Sequence, residues 1–263
     1  MLETTVDLER YPVRELETAR GREVIDSARA DLARMGAAEL PGFLTPTGLA
    51  VALADARSLA KRAFRSGGMG TAYLELPAAS WPADHARKHF ERYDLGVVAY
   101  DQFPAESPIR RLYESQALMD FIGRVLERGP LFRYGDPFGA LNLAVMRDGD
   151  RLQWHFDQTD FVISLALQDC EEGGDFEVAP RIRSSADEHY TEVGRVLRGE
   201  SPAVVRLPMH PGTLLIFEGR NSVHRVSPLR GETERLVALL AYDTSPGTMS
   251  TTALRMARYG RAG

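Results

Sequence analysis

The chain has 263 residues, a formal net charge of −5 and a pI near 5.8. Hydrophobic residues make up 44% and charged residues 26%, a globular balance that excludes a disordered or fibrous chain and supplies a large core. The acidic balance argues against a nucleic-acid partner, and no apolar run reaches the roughly 18 residues of a membrane span.

The first stretch, "MLETTVDLERYPVREL", lacks the apolar run of a signal peptide. With one cysteine, Cys170, no internal disulfide can form, so a cytoplasmic protein is expected. Helical spacing through Leu16, Val24, Ile25, Ala28, Leu32 and Met35 predicts a first helix that stops at Gly36. A second spans "TPTGLAVALADARSLAKRAF", with Thr45 as N-cap and Pro46 in the first turn. "SGGMG", Ser66 to Gly70, reads as a flexible loop over a pocket, and "TAYLEL" as a short strand. "HARKH" sets His85 and His89 four apart on a solvated helix face. A third helix, "SPIRRLYESQALMDFIGRVLER", opens on Ser107 and Pro108 and ends at Gly129.

Beyond about Arg133 the pattern changes to short apolar runs between turn residues. "ALNLAVM", "RLQWHF", "FVISLAL", "DFEVAP", "AVVRLP", "TLLIFE", "SVHRVS" and "RLVALLAY" read as strands of an antiparallel sandwich or jelly roll. One helix, "SADEHYTEVGRVLRG", interrupts them.

"QWHFD" carries the first chemistry. His155 and Asp157 are two apart in a strand, so both side chains leave the same face. A third ligand has to come from a distant strand, and His224 in "NSVHRVSP" is the candidate. Two imidazoles and one carboxylate leave open metal positions, the arrangement of non-heme Fe(II) oxygenases. An HxD pair alone carries little, and a lone histidine is commonly structural. Arg235, eleven positions after His224, adds a planar fork suited to a carboxylate held beside the metal.

These segments resemble the iron(II)/2-oxoglutarate-dependent dioxygenases of the prolyl-hydroxylase type. "MRDGDRLQWHFD", "VISLALQDCEEGGDFEV" and "HPGTLLIFEGRNSVHRVSPLRGETERLVALL" carry the likeness from about Ala140 to Asp243. Met146 stands where a tyrosine is frequent, and Val237 where many members have serine. The resemblance implies a mainly β fold with flanking helices, a double-stranded β-helix of the jelly-roll or cupin-like kind braced by N-terminal helices. It implies Fe(II) on His155, Asp157 and His224, 2-oxoglutarate on the iron and on Arg235, and O2 as oxidant. The whole chain, 1–263, is then expected to be one domain. Residues 1–132 would be mostly helical support and pocket cover, 133–245 the β-helix core and 246–263 a C-terminal tail.

A wider likeness runs through "YPVRELETARG", "AYDQFP" and "GGDFEVAPRIRS" to the BesD-type radical halogenases of free amino acids, above all lysine, and their hydroxylase relatives. In those halogenases glycine replaces the carboxylate ligand and chloride takes its place. Here the residue is Asp157, so the resemblance implies a hydroxylase. A free amino acid, lysine first, is the implied substrate. Ornithine, a peptidyl residue, or a non-catalytic metal-binding sandwich are the alternatives. Asp160, Asp136 and Glu177 are candidate acids for a substrate ammonium, and Arg147, Asn142 and Asn221 candidate partners for its head group. Trp154 should face away from the metal and Cys170 should pack, while Tyr100 and Phe103 are expected to line the pocket. The oligomeric state is not legible.

Overall fold

The computed structural model describes residues 2–263. Helix α1 (Leu2–Thr5) is followed by α2 (Ala19–Met35), strand β1 (Ala37–Leu40), α3 (Pro46–Ala60), and the long strands β2 (Phe64–Thr71) and β3 (Phe90–Val98). Helices α4 (Pro108–Tyr113) and α5 (Gln116–Val125) come next, then β4 (Phe132–Arg133). Strands then dominate: β5 (Leu141–Met146), β6 (Leu152–His155), β7 (Val162–Gln168), β8 (Glu172–Gly173) and β9 (Phe176–Ala179). Helix α6 (Tyr190–Leu197) precedes β10 (Val205–Leu207), β11 (Leu214–Phe217), β12 (Val223–Val226), β13 (Leu229–Arg230), β14 (Arg235–Leu240) and β15 (Tyr242–Asp243); α7 (Thr252–Tyr259) follows. No helix among the described residues is long and apolar enough to cross a membrane.

All eight strands expected beyond Arg133 are present, and their pairing makes a double-stranded β-helix. One antiparallel sheet has the order β1-β11-β7-β14-β5-β3-β2, and the other β10-β9-β12-β6. The chain steps between the two sheets from β5 to β14, which is the jelly-roll path. Alternation along the strands of the large sheet gives it two faces. Leu141, Leu143 and Val145 of β5, Ile163 and Leu165 of β7, and Leu236, Ala238 and Leu240 of β14 turn outward. They bury against Ile25 and Leu32 of α2 and Leu118, Phe121 and Ile122 of α5. The N-terminal helices therefore brace the outside of the sheet, at roughly 1.5–3 kcal/mol for each large apolar side chain buried.

The expected caps hold their helices. Gly36 ends α2 in the left-handed region at φ 65°, its N–H donating to the Leu32 carbonyl. Thr45 Oγ1 accepts from the Gly48 N–H at 2.9 Å, with Pro46 in the first turn of α3. The third expected helix is two helices. Ser115 caps α5 by accepting from the Leu118 N–H, and this competes with continuing α4 through Glu114.

The first half also supplies three strands that its helical pattern concealed. "SGGMG" is the middle of β2, paired residue for residue with β3 from Phe64↔Val97 to Thr71↔Phe90. Its glycines permit close approach: a Cβ on Gly67 would strike the Asp94 carboxylate, and one on Gly70 would sit 2.6 Å from Gln153 Nε2. "TAYLEL" leaves the strand at Thr71 and turns. His85 caps a single 3-10 turn, Ala86–Lys88, and stacks on Trp81 at 4.1 Å, while His89 lies 3.0 Å from Glu91. The two histidines share no α-helical face. The C-terminal segment contains α7, which packs on β2 and β3.

Candidate metal centre

The strand pairing brings His155 and His224 opposite each other on adjacent strands, β6 and β12. Gln153 and His155 face inward by alternation, while Trp154 turns out into the cluster under α6. Asp157 lies just past the end of β6, its N–H donating to the Gly219 carbonyl at 3.1 Å. One ligand atom from each of His155, Asp157 and His224 comes within 4.8 Å of the others.

Each imidazole is oriented by its own strand. Nδ1–H of His155 donates to the Gln153 carbonyl at 2.9 Å, and Nδ1–H of His224 to the Ser222 carbonyl at 2.9 Å. A carbonyl only accepts, so both rings carry their proton on Nδ1 and turn a bare Nε2 toward Asp157. Those Nε2 atoms lie 3.8 Å and 3.6 Å from the two carboxylate oxygens. Asp157 Oδ2 is buried and has no hydrogen-bond partner. A buried carboxylate oxygen facing two bare imidazole nitrogens is a set of three donors without a cation, and the set fits a divalent metal.

Burial, then the neighbouring His224 and the charge of Arg258, push His155 down to about 4 from its ordinary 6.5. The folded chain therefore declines a proton between pH 6.5 and about 4 that the unfolded chain accepts. Metal-free protein should lose stability as the pH falls through this window, by roughly 3 kcal/mol in all. Denaturation midpoints across that range check it. In His155→Leu the fall should shrink, and an equal fall would contradict the depressed pKa.

Gly219 is a site residue that the motifs did not reveal. A Cβ there would overlap Asp157 Oδ2 and stand 2.5 Å from Cγ. The glycine is the space the carboxylate occupies, and its φ is not left-handed. Gly219→Ala should leave a folded protein whose Fe(II) affinity falls about ten- to a hundredfold, by analogy with the loss of groups that orient ligands. Unchanged affinity in an anaerobic Fe(II) titration would show that Asp157 has another position.

Arg235 also faces inward, as Leu236, Ala238 and Leu240 take the helix side. It is 6% exposed, and among the described residues no carboxylate forms an ion pair with it. Burial lowers its pKa, and the charges of Asp169 and Asp175 only partly offset this. Val237, two positions on, lies between Ala144 and Ala166 on neighbouring strands, so this wall is apolar.

The expected substrate contacts are otherwise engaged. Asp160 pairs with Arg128 at 2.6 Å and with Arg220. Asp136 accepts from Arg255 and from the Phe138, Gly139 and Ser250 N–H groups. Glu177 binds Arg225 at 2.6 Å. Asn142 donates to the Phe138 carbonyl and accepts from Tyr259. Arg147 is exposed, and Asn221 sits in the turn before β12. Tyr100 donates to Glu114, and Phe103 is 1% exposed in the core under the helices, so neither lines the site. Cys170 is half-buried, and burial raises its pKa, as suits a packing thiol.

Three solved structures share this fold. An oxidoreductase of the 2OG-Fe(II) oxygenase family from Burkholderia pseudomallei is 16% identical over 85% of this chain and 92% of its own, with a TM-score of 0.55. AviO1 from Streptomyces viridochromogenes is 18% identical over 85% and 96%, with a TM-score of 0.58. EctD from S. alaskensis, with 2-oxoglutarate and 5-hydroxyectoine, is 17% identical over 82% and 74%, with a TM-score of 0.53. No curated protein sequence matches the chain. Residues 90–256, from β3 into α7, match the family described as HalD, Halogenase D, and the chain belongs to that family.

Proposed function

We propose that the protein is an Fe(II)/2-oxoglutarate-dependent hydroxylase of an unactivated C–H bond in a free amino acid, with L-lysine the first compound to test. The observation that carries this reading is Asp157, whose unpartnered oxygen stands between two bare imidazole nitrogens. A carboxylate at that corner leaves no place for chloride, which the halogenases admit through glycine. Within a family named for halogenation, this chain therefore reads as a hydroxylase.

His155, Asp157 and His224 would hold iron, and Arg235 would take the far carboxylate of 2-oxoglutarate. Bound iron, oxoglutarate and O2 supply the oxidising power to break an aliphatic C–H bond. The chain's own groups position them. The Gln153 and Ser222 carbonyls fix the two imidazoles, and Gly219 makes room for the carboxylate. Ala144, Ala166 and Val237 make the wall beside Arg235 apolar and keep water from it. The solved EctD structure contains 2-oxoglutarate and 5-hydroxyectoine, which supports a small-molecule substrate. Ornithine stands behind lysine as the next candidate. The lone, packed thiol of Cys170 fits a reducing cytoplasm.

Succinate release is the test, with Fe(II), 2-oxoglutarate and a panel of free amino acids under air. Release that depends on one amino acid supports the reading. Release with a peptide substrate alone would replace the substrate class, and no release with any would sink the activity.

A further inference from the structure

Four buried side-chain atoms around the barrel interior lack a partner: Arg151 Nε, Gln153 Oε1, Asp157 Oδ2 and Arg258 Nε. Asp157 belongs to the metal centre, which leaves the other three unexplained. Arg151, Gln153 and His155 alternate on one face of the same extended segment. Gln153 is 5% exposed and presses against β2 at Gly70, where no Cβ would fit without moving it.

Arg258 approaches from the opposite end of the chain. Helix α7 is pinned beside it by Tyr259, which is buried with Leu95, Val97, Met146 and Val226 and donates to Asn142 Oδ1 at 2.9 Å. One turn earlier, Arg255 binds the buried Asp136 at 3.0 Å. Arg258 itself has no ion pair among the described residues. Its charge is felt at His155, so it lies toward the metal.

We propose that Arg258 and Gln153 together receive the head group of a free α-amino acid, the carboxylate on the guanidinium and the ammonium on Gln153 Oε1. The inference rests on the oxygenase reading above and narrows its substrate. A guanidinium without an acid calls for an anion, and a buried amide oxygen without a donor calls for an N–H. A single α-carbon offers both. A residue within a peptide offers neither charge, so this pair selects against peptides.

The test is calorimetric titration of protein loaded anaerobically with Fe(II) and 2-oxoglutarate, using the common L-amino acids and ornithine as probes. The tightest binder is then compared with its carboxamide and its N-acetyl derivative. Each derivative should bind at least about tenfold more weakly, the loss of one charge-assisted bond. Arg258→Met should weaken the free acid by a similar factor and leave the carboxamide unchanged. Gln153→Leu should weaken the free amino acid and leave the N-acetyl derivative unchanged. Both variants should keep wild-type affinity for Fe(II) and 2-oxoglutarate, which a misfolded site would not. A carboxamide that binds as tightly as the acid overturns the inference. So does full affinity in Arg258→Met, or loss in Arg151→Met instead. If no free amino acid binds while Fe(II) and oxoglutarate do, the inference fails and the oxygenase reading stands. If neither of those binds, the reading itself fails, and the inference with it.

Discussion

Asp157→Gly is expected to lower hydroxylation by at least about a hundredfold. Removing a group that merely orients a metal ligand already costs ten- to a hundredfold, and Asp157 is one of three proposed ligands. Two imidazoles on adjacent strands would remain, with no anionic donor to hold the cation between them. The fold should survive, because the lost carboxylate oxygen makes no hydrogen bond to the protein. Removing it also relieves a buried, partnerless charge, so metal-free variant should melt no lower than wild type. Fe(II) titration, melting curves and product analysis on one preparation separate these effects. Undiminished hydroxylation would remove Asp157 from the metal.

Arg235→Leu is expected to raise the 2-oxoglutarate KM ten- to a hundredfold, the loss of a charge-assisted bond worth about 1.5–3 kcal/mol. Its effect on stability should have the opposite sign. Arg235 is a buried cation without a carboxylate partner, and burial already depresses its pKa. Exchanging it for leucine removes a desolvation cost from the folded, ligand-free state. Unliganded variant should therefore melt at or above the wild-type temperature while its cosubstrate affinity falls. A lower melting temperature with unchanged KM would make Arg235 a structural residue.

The β half is legible because its strands alternate. Leu141, Leu143 and Val145 announce a face by period alone, and so do His155 and Gln153 around Trp154. Position along the strand can nominate His224, but only the pairing of β12 with β6 sets it opposite His155. Local turn chemistry does not explain "SGGMG". Its glycines answer to Asp94 and Gln153, contacts from other strands that local composition does not encode. The same holds for Gly219, whose missing side chain is the space for Asp157. Arg258 carries no local signal, because its role depends on α7 folding back over β2 and β3. Asp136, Asp160 and Glu177 look available in sequence because their arginine partners are distant in the chain.

The most direct test of the hydroxylase reading is mass spectrometry of the product made by wild-type protein with Fe(II), 2-oxoglutarate, O2 and its amino-acid substrate, with and without abundant chloride. The account predicts a gain of one oxygen atom under both conditions, with succinate formed in step. Chlorinated product from the wild type would contradict it.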